Sequence, residues 1–194
     1  MIIPMIVFAF SMCATPGPNN IMLTASGANF GFRRTIPHIL GIELGMLVHF
    51  TLSAFGLGVL FTRFPVIHTV LKIAGSCYLV YLAARIMFSK RKENSETETK
   101  PLNIFQAAAF QFLNPKAYII GITAVSSFTE PGETYARSAI LVILVFGIVC
   151  IPSISIWAGF GSVISRFFRN NSIFRIFNFV MGGLTAASIV LIIL

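Results

Sequence analysis

The chain contains no aspartate, six glutamates and three cysteines, and only 10 % of its residues are charged. A soluble domain carries about 25 % charged residues, so there is too little polar surface here to face water. Cys13, Cys77 and Cys150 lie in apolar stretches with no CxxC spacing and no adjacent histidine pair. That pattern argues against a disulfide framework or a metal site and predicts buried, reduced thiols. No basic run precedes the first apolar stretch, so a cleaved signal peptide is not expected and the first segment should be retained. With no aspartate, Glu43 is the one carboxylate inside an apolar stretch.

What the chain does have is hydrophobic length. Hydrophobic residues make up 56 % of the 194 positions, and the mean hydropathy is +0.87. A membrane-crossing helix takes about 20 residues, so six spans fill the chain and leave no soluble domain. The apolar stretches are 3–28, 36–60, 66–88, 104–127, 138–161 and 174–194. These predict an all-α integral membrane protein of one domain, 1–194, with half-repeats 1–88 and 104–194 and a polar cytoplasmic linker at 89–103. The linker has the composition of a flexible connection.

The net charge of +8 sits in short loops and reads as a topology signal rather than a nucleic-acid surface. One set of alternate loops carries ten Lys and Arg residues, from Arg33 and Arg34 to Arg175; the opposite side has Arg63, Arg137 and Lys72. The richer set is expected in the cytoplasm, with both termini outside. Three spans per half then insert in opposite senses, as an inverted repeat requires.

Two of the apolar stretches are interrupted by proline. The first break is Thr15-Pro16-Gly17-Pro18-Asn19-Asn20 and the second is Asn114-Pro115-Lys116-Ala117. Pro18 and Pro115 are 97 positions apart, half of the 194 residues. Proline removes a backbone donor and clashes one turn back. In hydrocarbon the freed groups need partners, so such breaks persist where they are buried or line a cavity. Matching breaks in two halves point to a transport site, which makes the chain a candidate carrier. The half-helix beginning at Pro18 offers unpaired N–H groups suited to a carboxylate, with Asn19 and Asn20 adding hydrogen-bonding capacity. Lys116, midway along its span, costs roughly 2.5–3.5 kcal/mol to insert and reads as functional by default. Gln111 and Asn114 add polar capacity beside it.

Glu43 is the candidate proton carrier, with a structural ion pair as the alternative. His38, Gly41, Gly45 and His49 form one helical stripe, and Glu43 lies about 160° from Gly41. The glycines suit close helix packing, so Glu43 points elsewhere. His38 and His49 are about 16 Å apart along a helix and cannot share a metal. His38 reads as a polar residue near a helix end, His49 as a hydrogen-bonded packing residue or a second proton carrier.

These motifs, with Gly31-Phe32-Arg33-Arg34, Gly41-Ile42-Glu43-Leu44-Gly45, Gly75-Ser76-Cys77-Tyr78-Leu79 and Phe110-Gln111-Phe112-Leu113 leading into the second break, resemble the LysE/RhtB amino-acid exporter family along the whole chain. The stretch Gly121-Ile122-Thr123-Ala124-Val125-Ser126-Ser127-Phe128 is similar to the branch that exports cysteine and O-acetylserine. The resemblance implies a bacterial inner-membrane carrier, driven by a proton or ion gradient, that exports small amino acids, including the threonine and homoserine type. The family's motifs fall on Pro16, Gly17, Pro18 and Asn19, and on Asn114, Pro115, Lys116 and Ala117. Glu43 lies outside them, and the aspartate-free chain lacks the intramembrane aspartate of some relatives. No cofactor, metal or enzymatic activity is expected, and a homo-oligomer is left open. A divalent-metal exporter is the alternative; it would need clustered His, Asp, Glu or Cys.

Overall fold

A computed structural model describes residues 2–89, 100–168 and 171–190. Among them all regular structure is helical. The helices are α1 (Ile2–Ala14), α2 (Pro18–Phe30), α3 (Phe32–Ala54), α4 (Leu57–Arg63), α5 (Pro65–Met87), α6 (Ile104–Gln111), α7 (Pro115–Phe128), α8 (Tyr135–Ile164) and α9 (Asn171–Ala187). The all-α expectation holds for these residues. The segments Phe32–Ala54, Thr69–Met87 and Gly132–Phe167 are each long and apolar enough to cross a membrane. A fourth span forms if α1 and α2, bent by 60° at their break, count as one. At 8, 14 and 17 residues, α6, α7 and α9 are individually too short to add to that number. The linker expected at 89–103 falls largely on 90–99, outside the described residues.

The helix ends follow local chemistry. Pro18, Pro65 and Pro115 each open a helix, where a missing N–H costs nothing. Asn103 and Gln106 close a reciprocal capping box at the start of α6, with bonds of 2.8 and 3.2 Å. The second apolar stretch, expected to run 36–60, is shorter as a helix. It stops at Ala54, because Gly56 takes φ 95° and turns the chain before α4. A residue with a Cβ pays about 1–2 kcal/mol for that left-handed conformation. Pro37 and Pro152 lie inside α3 and α8 without ending them.

The broken helices pack across the halves. α1 and α2 lie against α8, while α6 and α7 lie against α3; α3 touches α8, and α5 touches α9. Phe50, Phe110 and Phe146 are fully buried in this core, and the Phe50 and Phe146 rings meet at 4.5 Å. Outside, Ile36, Leu40, Leu44, Val48 and Leu52 form an exposed stripe four residues apart along α3. That outer face suits lipid, whereas Asn20, Gln111, Asn114 and Asn178 are buried inside. Lipid gives helices little hydrophobic reason to associate, so close packing over small residues must supply the attraction.

The expected glycine stripe of α3 does this. Gly41 abuts Ile104 and Ala107 of α6, and Gly45 abuts Ala108 and Gln111. At the interface of α2 with α8, a Cβ on Gly161 would stand 2.8 Å from the Thr24 carbonyl carbon. We expect Gly161→Ala to force these backbones apart and to cost about 1–3 kcal/mol, read as a lower unfolding temperature in detergent. Gly159→Ala, where a Cβ meets nothing within 4 Å, should leave it unchanged or raise it. Equal losses in both variants would refute this account of helix spacing.

Candidate functional site

Breaking a helix leaves its last carbonyls without intrahelical partners, and at the end of α1 three are satisfied by side chains. Asn20 Nδ2 donates to the Cys13 carbonyl at 2.9 Å and to the Thr15 carbonyl at 2.8 Å. Trp157 of α8 donates its indole N–H to the Ala14 carbonyl at 3.1 Å. Lys116 Nζ, from the second break, donates to the Thr15 carbonyl at 2.6 Å. The cation of one half is thus held by the unwound backbone of the other.

A second bridge runs beside the first. Asn19 Nδ2 donates to Gln111 Oε1 at 2.8 Å, and Gln111 Nε2 donates back to Asn19 Oδ1 at 3.2 Å. Gln111 also donates to the Ala107 carbonyl at 2.9 Å. At the second break Asn114 caps α7 by accepting from the Lys116 N–H at 3.1 Å, and the Tyr118 hydroxyl donates to the Phe112 carbonyl. Gly17 leaves room for this meeting, since a Cβ there would stand 3.1 Å from Lys116 Cδ and 3.3 Å from Nζ.

The two breaks share a cavity of about 30 Å³, with Gly17, Asn19, Asn20, Asn114, Lys116 and Ala117 in its wall. The first turns of α2 and α7 therefore open on one space, and both present helix N-termini to it. Such ends attract anions, and Lys116 keeps donors beyond the one given to Thr15. Space of this size holds a water or two, so a larger guest requires the breaks to move apart.

Of the residues singled out in the sequence, Gly17, Asn19, Asn20, Asn114 and Lys116 line the cavity, and Gln111 joins them through Asn19. Pro16 is exposed, whereas Pro18 and Pro115 shape the breaks as the first residues of α2 and α7. Asn20 lines the cavity with both amide hydrogens already committed to the break. Glu43 and His49 stand elsewhere. Glu43 is buried with Oε1 facing Gly147 of α8, as its offset from the glycine stripe requires, and no cation pairs with it among the described residues. Its Oε2 has no hydrogen-bond partner among them.

His49 differs from expectation. It packs at 4.5 Å against the Tyr118 ring and 4.8 Å against that of Phe112, and neither ring nitrogen has a hydrogen-bond partner among the described residues. Cys13 and Cys150 are buried thiols of the cavity wall, but Cys77 is exposed on α5, so only two of the three are interior. The metal alternative requires converging donors, and no group of three His, Cys, Asp or Glu occurs among the described residues. Trp157 was not legible as a site residue; its sequence signal is that it is the single tryptophan of the chain.

Asn20→Ala releases the Cys13 carbonyl inside the protein. We expect a loss of about 1–3 kcal/mol, measured as thermal stability in detergent. Asn19→Ala should cost less, since Gln111 retains its Ala107 partner. The reverse order would contradict the assignment of Asn20 as the clasp of the break.

The sequence matches the family described as LysE type translocator over residues 10–192. It is 36 % identical over 165 residues to the cysteine/O-acetylserine efflux protein of Escherichia coli (strain K12), covering 80 % of this chain and 79 % of that protein. The protein of the same name from Shigella flexneri serotype 5b (strain 8401) matches with the same identity and coverage. No solved structure matches. A match over nearly the whole chain, with both proline breaks inside it, places this protein in the LysE type translocator family.

Proposed function

We propose that this protein is a secondary-active efflux carrier for small amino acids, of the cysteine and O-acetylserine type, working by alternating access across the cytoplasmic membrane. The observation that carries this reading is the meeting of the two breaks: Lys116 on the Thr15 carbonyl, and Asn19 on Gln111, around one cavity. The substrate carboxylate is received by Lys116 and the amides of the first turn after Pro18. The ammonium is received by the break carbonyls, Asn19 or Asn114. The relatives named for cysteine and O-acetylserine efflux support that substrate class.

The architecture we propose is six spans in a 3+3 inverted repeat, α1 with α2 and α6 with α7 each counting as one broken span. The reciprocal packing of α1 and α2 on α8, and of α6 and α7 on α3, supports it. The charge asymmetry of the loops puts both termini outside. A cavity too small for an amino acid supports alternation, because the substrate must part the two breaks to bind. Glu43 is the coupling residue in this reading. It lies between α3 and α8, the helices that carry the broken pairs, with one carboxylate oxygen unpartnered among the described residues. A proton taken up there would change how those two helices meet.

Lys116→Ala is expected to abolish efflux of labelled O-acetylserine from loaded vesicles while the protein remains in the membrane. Normal efflux by this variant would overturn the site. Glu43→Gln should lose the response to a pH gradient yet retain exchange of labelled for unlabelled substrate. An intact gradient response would exclude Glu43 from coupling.

A further inference from the structure

A second cavity, of about 60 Å³, opens between α2, α3, α5 and the segment 100–102. It lies toward the face rich in Lys and Arg. Its polar wall is formed by Ser26, Asn29, His38, Arg85, Ser89 and Lys100, and accounting for their hydrogen bonds shows what it can accept. Asn29 is saturated: its amide donates to the Ala25 carbonyl and to Asn178, both at 2.7 Å, and its oxygen accepts from Ser89 and Asn178. Ser26 is paired with Thr35 at 3.0 Å. These groups form a finished wall.

The remaining groups are cationic or can donate. Arg85 gives one N–H to the Lys100 carbonyl at 3.1 Å, and its guanidinium stands 5.9 Å from the centre of the Tyr81 ring. A guanidinium has five N–H donors and an ammonium three. Neither Arg85 nor Lys100 has a carboxylate partner among the described residues. His38 also borders the space. Only 2 % of it is exposed, yet neither ring nitrogen has a partner among the described residues. Leaving a buried polar group unpaired costs about 1–3 kcal/mol. Two cations without a carboxylate partner among the described residues, at the edge of one space, call for an acceptor-rich guest, an oxyanion.

The cavity is also aligned with the paired breaks. On α3, His38 lines the outer space and Ile42 and Met46 the inner one, so one turn, about 6 Å, separates them. On α2 the outer space is bordered by Met22 and the inner by Asn19. Met22 borders the outer space, and Met12 and Met46 border the inner one; methionine side chains adapt to passing groups. An interior position at His38 favours a small carboxylate over a lipid headgroup.

We propose that this outer cavity is a second subsite, which captures the carboxylate of the amino acid on its way to the paired breaks. Arg85 and Lys100 attract it, beside the imidazole of His38. This rests on the transport reading above.

The test is efflux from phosphatidylcholine vesicles loaded with increasing labelled O-acetylserine, with and without added phosphatidylglycerol. Arg85→Gln should raise the half-saturating internal concentration about tenfold and change the maximal rate far less; Arg85→Lys should recover most of the loss. Lys100→Gln, at an exposed position, is a second variant independent of Arg85 packing and should shift half-saturation in the same direction. Lys116→Ala should instead remove the maximal rate. An active wild type with unchanged half-saturation in both variants would overturn the subsite alone, as would a loss confined to maximal rate. An effect seen only with phosphatidylglycerol would mark a headgroup site and also overturn it. A wild type that exports no O-acetylserine, cysteine, threonine or homoserine would overturn the transport reading, and the subsite with it.

Discussion

The carbonyls released where α1 ends are the constraint on which the centre of the molecule depends. In a non-aqueous interior they must find donors within the protein. Asn20, Trp157 and Lys116 supply them from α2, α8 and α7. Three helices are thereby tied to one unwound segment. Each of those donors is polar or charged and would be costly in the interior if the break were absent. Break and donors stabilise one another, and neither makes physical sense alone.

The outer face differs from that of a soluble fold, while the interior mixes apolar side chains with amides. Apolar stripes such as Ile36, Leu40, Leu44, Val48 and Leu52 face outward, and amides such as Gln111 and Asn178 sit at the centre. Helices are drawn together by close contact over Gly27, Gly41, Gly45 and Gly161 rather than by expulsion of water. Contacts of this kind are narrow, and the bonds bridging the breaks are few.

How much of this was legible depended on whether the signal was local. The breaks at Pro16, Pro18 and Pro115 were, because proline clusters with glycine or asparagine act on their own backbone. Pro152 shows the limit: a solitary proline leaves α8 continuous. The Gly41 and Gly45 stripe and the separate direction of Glu43 followed from helical periodicity alone. The end of α3 at Ala54 was missed because Gly56 sits in an unbroken apolar run, where hydropathy hides a turn. Cys77 was read as buried for a similar reason, since a hydrophobic segment in lipid has an outward face as apolar as its inward one.

The amino-acid sequence by itself determined the helical class, the two breaks, the cation at the second break and the charge asymmetry, since each depends on residue type and short spacing. Only the tertiary structure decided that Lys116 meets Thr15, that Asn19 meets Gln111, and that His38 stands with Arg85 and Lys100 around a second cavity. Lys116 and Thr15 are 101 positions apart, Asn19 and Gln111 92. No periodicity reaches across such distances; which side chain answers which carbonyl is settled by how the helices cross.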